Sequence, residues 1–191
     1  RTSSRLRRRF ATGRLDLAMA DLVRIAVLYD GSYFNGISNY YKFQHRRRKR
    51  LDIGGIHDFV IKAVSLEEST DTKFCHIVEA HYFRGRFSVR DLENSAINEN
   101  FVLDQLKNDR NFDRILALQN VTTHFVQMDT NQNPPKEQGI DVWLALQAYE
   151  LAVNDRCDII VLIACDGDFV PLVRKLNTLG KRVMLLGWNA K

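Results

Sequence analysis

Nearly continuous apolar runs alternate along this chain with stretches in which apolar residues recur every three or four positions. The run at residues 22–29 is bounded by turn residues, the pattern of a strand buried on both faces in a parallel sheet. Comparable runs predict strands at residues 74–83, 122–128, 159–164 and 182–186. Helical spacing begins near Ile56, where Phe59, Val60 and Val64 are placed to share a face. It returns at residues 98–107 (Phe101, Val102, Leu103, Leu106) and at residues 140–153, where Ile140, Leu144, Ala148 and Leu151 form a stripe. A last helix, residues 170–179, stops at Gly180, a residue suited to a helix C-terminus. Residues 32–51 read as a long aromatic and basic connection. A polar segment holding Pro134 and Pro135 precedes the helix at Ile140. Strands alternating with helices predict an α/β fold with a mostly parallel sheet.

The 191 residues suit one domain, expected over residues 22–188. No apolar run approaches the roughly 18 residues that cross a bilayer. The three cysteines, Cys75, Cys157 and Cys165, are odd in number and lack a Cys-x-x-Cys spacing. They predict a reducing, cytoplasmic setting without a disulfide framework. The histidines are scattered, with no zinc-site spacing.

Charge changes the picture more. The formal net charge is +5, and the isoelectric point is near 9.2. Arg1, Arg5, Arg7, Arg8, Arg9 and Arg14, set against Asp16 alone, account for the whole excess. Residues 1–18 lack a core pattern. They read as a basic arm, a transit peptide or, the preferred reading, a disordered or non-native extension before a natural start at Met19. A second basic block survives this correction: Lys42, Arg46, Arg47, Arg48, Lys49 and Arg50, with no acid between Gly31 and Leu51.

Two acidic clusters close apolar strands. Asp30 lies in Leu28-Tyr-Asp-Gly-Ser; Asp166 and Asp168 lie in Cys165-Asp-Gly-Asp-Phe. In open α/β sheets the functional crevice lies beyond the carboxyl ends of the strands, so these acids are expected to face one crevice. Carboxylates gathered there repel one another, and a hard divalent cation relieves the repulsion. Asp141, in the first turn of its helix, is expected at the same edge, where the helix dipole tolerates an acid. Singly, Asp-Gly is a common turn and Asp141 a common cap or dipole residue. Jointly, four acids at one edge point to chemistry on a phosphate with Mg²⁺ or Mn²⁺.

In Tyr29-Asp-Gly-Ser-Tyr-Phe-Asn, Gly139-Ile-Asp-Val-Trp-Leu-Ala and Asp166-Gly-Asp-Phe-Val-Pro-Leu-Val-Arg-Lys-Leu, the sequence resembles the NYN domain family, the LabA-like branch of the PIN-like nucleases. Lys181-Arg-Val-Met-Leu-Leu-Gly is similar to that family's final strand. The resemblance implies a three-layer Rossmann-like fold with helices on both faces and a sheet of about five strands, order 3-2-1-4-5. It implies a metal-dependent ribonuclease whose acidic set corresponds to Asp30, Asp141, Asp166 and Asp168, with Asn35 a polar neighbour. Four positions depart from the family's pattern: Gln138 where Lys is frequent, Gln147 where a second helix acid is common, and Ala164-Cys165 in place of Ser-Gly. The lost hydroxyl removes a hydrogen bond that would orient the acids.

Residues 46–50 are expected to hold RNA phosphates, which positions a strand without reading its sequence, and Arg84 and Arg86, after the second strand, are expected either to hold phosphate or to screen the acids. Tyr33, Phe34, Tyr40, Tyr41 and Phe43, if exposed, would stack on bases; otherwise they belong to the core and the charges to a solvated face. The competing readings are an RNA- or protein-binding module without catalysis, a sugar-nucleotide transferase and an aspartyl phosphatase. The transferase is disfavoured by the short chain after Asp168, and the phosphatase by Ser32 standing where a second acid is needed.

Overall fold

The computed structural model describes residues 22–94 and 97–188, so the expected tail at residues 1–18 lies outside the described residues. The apolar runs form β1 (Val23–Asp30), β2 (Cys75–Arg86), β3 (Thr122–Gln127), β4 (Ile159–Ile163) and β5 (Arg182–Leu185). All pair in parallel, in the order β3-β2-β1-β4-β5. The expected α/β class, strand order and topology are those observed. Burial explains the pattern: Ile25 to Tyr29 of β1 are fully buried, and every residue of β4 is buried. The edge strands β3 and β5 carry exposed positions.

Among the described residues, five α-helices cover the sheet: α1 (Gly31–Phe43), α2 (Ile53–Glu67), α3 (Glu99–Leu118), α4 (Ile140–Val153) and α5 (Val170–Thr178). Phe34, Val60, Val64 and Leu116 pack with Ile25, Val27 and Tyr29, which puts α1, α2 and α3 on one face. Leu144, Ala148, Leu151, Leu172 and Leu176 pack with Ala26, Leu28, Ile160 and Leu162, which puts α4 and α5 on the other. Among the described residues, no helix is long and apolar enough to cross a membrane.

The structure corrects four readings. Residues 32–51 are not a connection throughout, because α1 occupies Gly31–Phe43. Asp30 caps that helix, accepting the Tyr33 amide hydrogen at 3.0 Å. Gly31 is required there: a Cβ would meet the Phe83 carbonyl oxygen at 2.4 Å. Second, α3 runs twenty residues, well past Lys107. Its buried positions, Val102, Asp109 and Leu116, repeat every seven residues, and the middle one is an aspartate paired with Arg84. That buried ion pair breaks the apolar stripe on which the shorter helix was read. Third, Phe59 and Phe101 are exposed, while Ile53 and Ile56 join Val60 and Val64 in the core. Fourth, Arg84 and Arg86 lie inside β2 instead of following it.

The α4 stripe is as expected, but the helix is apolar on both sides. Val142, Leu146, Tyr149 and Val153 recur at i, i+4, i+7 and i+11 on the face away from the sheet, and all are exposed.

Candidate active site

β1 and β4 run side by side, with Leu28 opposite Leu162 and Tyr29 opposite Ile163. Asp30 ends β1, and Asp166 follows β4 by three residues, so both emerge at the carboxyl edge of the sheet. Order 3-2-1-4-5 makes this the place where the chain switches direction across the sheet, the crevice that open α/β folds use. Asp166 caps the short turn Gly167–Phe169, accepting the Asp168 amide hydrogen at 2.9 Å. Asp141 sits in the first turn of α4.

The electrostatics tie these acids together. Burial pushes the Asp30 carboxyl above its usual range, and the charges of Asp141 and Glu137 push it further. Burial does the same to Asp141, with Glu137, Asp166 and Asp168 adding to it. Asp166 and Asp168 are themselves exposed. The four acids named from sequence therefore share one patch, with Asp141 as its link.

A fifth acid, Glu137, was missed by sequence reasoning. One of its carboxylate oxygens accepts from the Ser32 hydroxyl and the other from the Gly85 amide, each at 2.5 Å. It thereby fastens the approach to α4 onto the β1–α1 turn and onto β2. Gly85 makes room, since a Cβ there would fall 2.5 Å from Glu137 Cβ. The segment before it is folded back on itself: Asp129 and Lys136 exchange backbone hydrogen bonds of 2.7 and 3.2 Å. Asp129 also accepts from the side chains of Gln132 and Gln138, at 2.8 and 2.9 Å. Gln138, one of the departures from the family pattern, thus has a structural task. The segment has no apolar periodicity, so the only sequence signal was a glutamate four residues before Asp141.

Among the described residues, no three histidine, cysteine, aspartate or glutamate side chains converge closely enough to enclose a cation. The donor chemistry nevertheless suits one. The patch is all hard oxygen, it repels itself, and Asp30 and Asp166 each accept a backbone amide hydrogen through one oxygen.

The remaining residues divide. Arg46, Arg47, Arg48, Lys49 and Arg50 are exposed just beyond α1. Arg48 bonds the Phe43 carbonyl oxygen, and none of the five forms an ion pair among the described residues. Arg84 pairs with Asp109 at 3.3 Å, and Arg86 with Asp113 through two contacts of 2.9 and 2.5 Å. Both arginines tie β2 to α3. Of the aromatics, Phe34 is core and Phe43 is 56% exposed. Tyr33 accepts from the Trp188 amide at 2.7 Å, Tyr40 and Tyr41 gather around His45, and all three are half-buried.

Two clefts open beside β2 and α1. One, of about 350 Å³, is lined by Ser32, Glu137, Arg84, Gln105 and Asp109. The other, of about 500 Å³, shares Arg84, Gln105 and Asp109 and continues between α1 and α3, where Asn35 lines it. A larger polar cleft of about 740 Å³ lies at the opposite end of the strands, around Arg24, Asp158 and Lys181. Arg24 and Asp158 pair at 2.8 Å, and that end of the sheet carries none of the acids above.

Comparison with known proteins agrees with the geometry. The family model for the NYN domain matches residues 24–191. A stretch of 48 residues is 40% identical to the uncharacterized protein MJ0482 of Methanocaldococcus jannaschii; it covers 25% of this chain and 20% of that protein. This chain therefore aligns with about a fifth of that relative's length. The crystal structure of VPA0982, a protein of unknown function from Vibrio parahaemolyticus, superposes with a TM-score of 0.53 at 20% identity, over 88% of this chain and 83% of that one. That likeness shows a shared fold.

Proposed function

The chain belongs to the NYN domain family, and from that premise we propose that it is a metal-dependent ribonuclease of the LabA-like branch, hydrolysing RNA phosphodiester bonds. One observation carries the reading. Acids from the end of β1, the turn after β4 and the start of α4 repel one another at the switch point of the sheet. Asp30, Asp166 and Asp168, with Asp141, would hold Mg²⁺ or Mn²⁺ there. A bound divalent cation supplies charge for the phosphoryl oxygens and acidifies an attacking water, so no histidine or lysine base is needed. The caps made by Asp30 and Asp166 fix the backbone beneath their carboxylates. Glu137 holds the leading turn of α4, and so Asp141, against β1 and β2. The basic segment after α1 holds the phosphates of the strand. All three cysteines are unpaired, in keeping with a cytoplasmic setting.

A second reading has its own support. The acids do not enclose a cation as they stand, and Ala164 and Cys165 bring no hydroxyl to orient them. An NYN module that holds RNA without cutting it would show both features.

Cleavage of single-stranded and structured RNA, with and without Mn²⁺, separates the two readings when run beside Asp166→Asn. Asparagine still caps a turn, so the variant is expected to melt with its parent. It is also expected to lose at least about 100-fold in metal-dependent cleavage, beyond the 10- to 100-fold typical of groups that merely orient a ligand. Equal cleavage by variant and parent overturns the assignment. RNA binding without metal-dependent cleavage by the parent establishes the second reading.

A further inference from the structure

The cleft between α1 and α3 is built differently from the acidic patch. Its floor is aromatic but mostly closed: Phe34 and Tyr82 belong to the core and Phe112 is half-buried, the rings of Phe34 and Phe112 stacking at 6.3 Å with planes 22° apart. Its walls carry amides beside the carboxylates of Asp52 and Asp109. Asn35 and Asn39 come from α1; Gln105, Asn108 and Asn111 come from α3. Among the described residues, none of these five side-chain amides has a hydrogen-bond partner in the protein. Helices facing solvent usually carry mixed charge, yet here unpaired amides face one another across a gap. The mouth is cationic: Lys42 and Arg50 line it, and Lys42 lies 4.7 Å from the ring centre of exposed Phe43.

We propose that this cleft is a base-reading subsite, which takes one unstacked base of a single-stranded RNA whose scissile phosphate lies at the acidic patch. The proposal rests on the ribonuclease reading above and adds the chemical form of the substrate. A volume of about 500 Å³ is ample for one nucleotide. The half-buried ring of Phe112 beneath hydrogen-bonding amides suits the way proteins hold splayed RNA bases. An amide offers a donor and an acceptor side by side, which matches the edge of adenine; guanine, with two adjacent acceptors, calls instead for an arginine. Of the two arginines that line the cleft, Asp109 holds Arg84, and exposed Arg50 lies with Lys42 among the cations assigned to phosphate. Adenine is therefore the expected preference. The route from the acids is continuous: Glu137 and Ser32 line the neighbouring cleft, and Gln105 and Arg84 line both. A duplex does not fit this arrangement, because a paired base cannot turn its edge into a side cleft.

The test measures binding of fluorescent eight-nucleotide oligo(A), oligo(C) and oligo(U) in metal-free buffer, so that cleavage does not intervene. Parent protein is compared with Asn39→Ala/Asn108→Ala, which truncates one amide on each wall. Neither residue is in the core, so the variant is expected to melt with its parent. The parent should bind oligo(A) about tenfold more tightly than the pyrimidine strands, and the variant should bind all three alike. A parent that binds the three strands equally, or a variant that keeps the preference, overturns the subsite and leaves the ribonuclease reading standing. A parent that binds no RNA overturns both. A variant that unfolds is replaced by Asn39→Asp/Asn108→Asp, which keeps shape and removes the donors. Retention of the preference in that variant overturns the subsite equally.

Discussion

One oxygen of Asp30 caps α1 while the carboxyl also feels the charges of Asp141 and Glu137, so a single carboxylate serves both fold and site. The two roles respond oppositely to Asp30→Asn. Asparagine caps a helix about as well as aspartate, so α1 should persist. Burial and neighbouring acids raise the Asp30 carboxyl above its usual range, which means the folded state binds its proton more readily than the unfolded chain does. The native protein therefore loses stability as pH rises through that window and stays destabilised at neutral pH. Removing the charge should raise the melting temperature at about pH 7 in metal-free buffer. The gain should vanish below about pH 3.9, where the carboxyl is protonated in both states. Calorimetry across pH checks this. Adding Mn²⁺ should then stabilise the parent and not the variant. A variant less stable than its parent at neutral pH would show that the cap outweighs the repulsion. The same double role explains why Asp30 was legible from sequence as a strand-end acid while the helix it caps was not. The Asp30-Gly-Ser turn fixed the eye on chemistry, and the aromatic residues after it hid the spacing of Phe34, Ile37, Ser38 and Tyr41.

At the scale of elements, β2 and β3 are joined by more than backbone. His81 Nδ1 lies 3.0 Å from His124 Nε2, so one ring donates and the other accepts, and protonating the acceptor breaks the bond. Phe83 stacks on His124 at 4.5 Å, and Trp143 of α4 meets it edge-on at 5.1 Å. Around the pair, Glu79 approaches His81 at 3.3 Å and is held in turn by Arg156 at 2.5 Å. Glu150 of α4 adds a weaker attraction for the protonated His81. Burial outweighs these acids and lowers both imidazoles. The folded state then binds fewer protons than the unfolded chain below the ordinary value of about 6.5, so this contribution is complete above that pH and is lost as pH falls below it. Urea midpoints should drop between about pH 7.5 and pH 5.5, and His124→Gln should flatten the change. A midpoint that changes as much in the variant as in the parent would place the sensitivity elsewhere. Elements with uniform burial, β1, β4 and the inner stripe of α4, were plain in the sequence because one physical demand set every position. Elements joined by polar contacts were not: α3 carries Asp109 where its stripe predicts an apolar residue, and Glu137 reaches β2 from a segment with no period at all.

The whole molecule is polar in charge in a way its composition conceals. From Met19 onward acids and bases balance, yet the acids gather at the sheet switch point and the bases gather just past α1. Arg84, Gln105 and Asp109 line both clefts between these poles, so a strand held at one pole reaches the other across them. Strand order and both poles could be read in the sequence; the clefts between them could not, because they arise where α1 meets the longer α3. The arrangement makes a measurable prediction for the basic segment. Arg48 is spent on the Phe43 carbonyl oxygen, which leaves Arg46, Arg47, Lys49 and Arg50 free for phosphate. Each phosphate neutralised on a single strand releases counterions and contributes about 0.7 to the slope of log affinity against log salt. Replacing residues 46–50 with neutral side chains should therefore flatten that slope by up to about 3. Base preference should be unchanged, since phosphate contacts carry no sequence information, and Mn²⁺ binding should persist because the acids lie elsewhere. The measurement is RNA affinity over a salt series for parent and variant. Identical slopes would show that this segment is a solvated face, and the route of the strand would then have to be sought along α3.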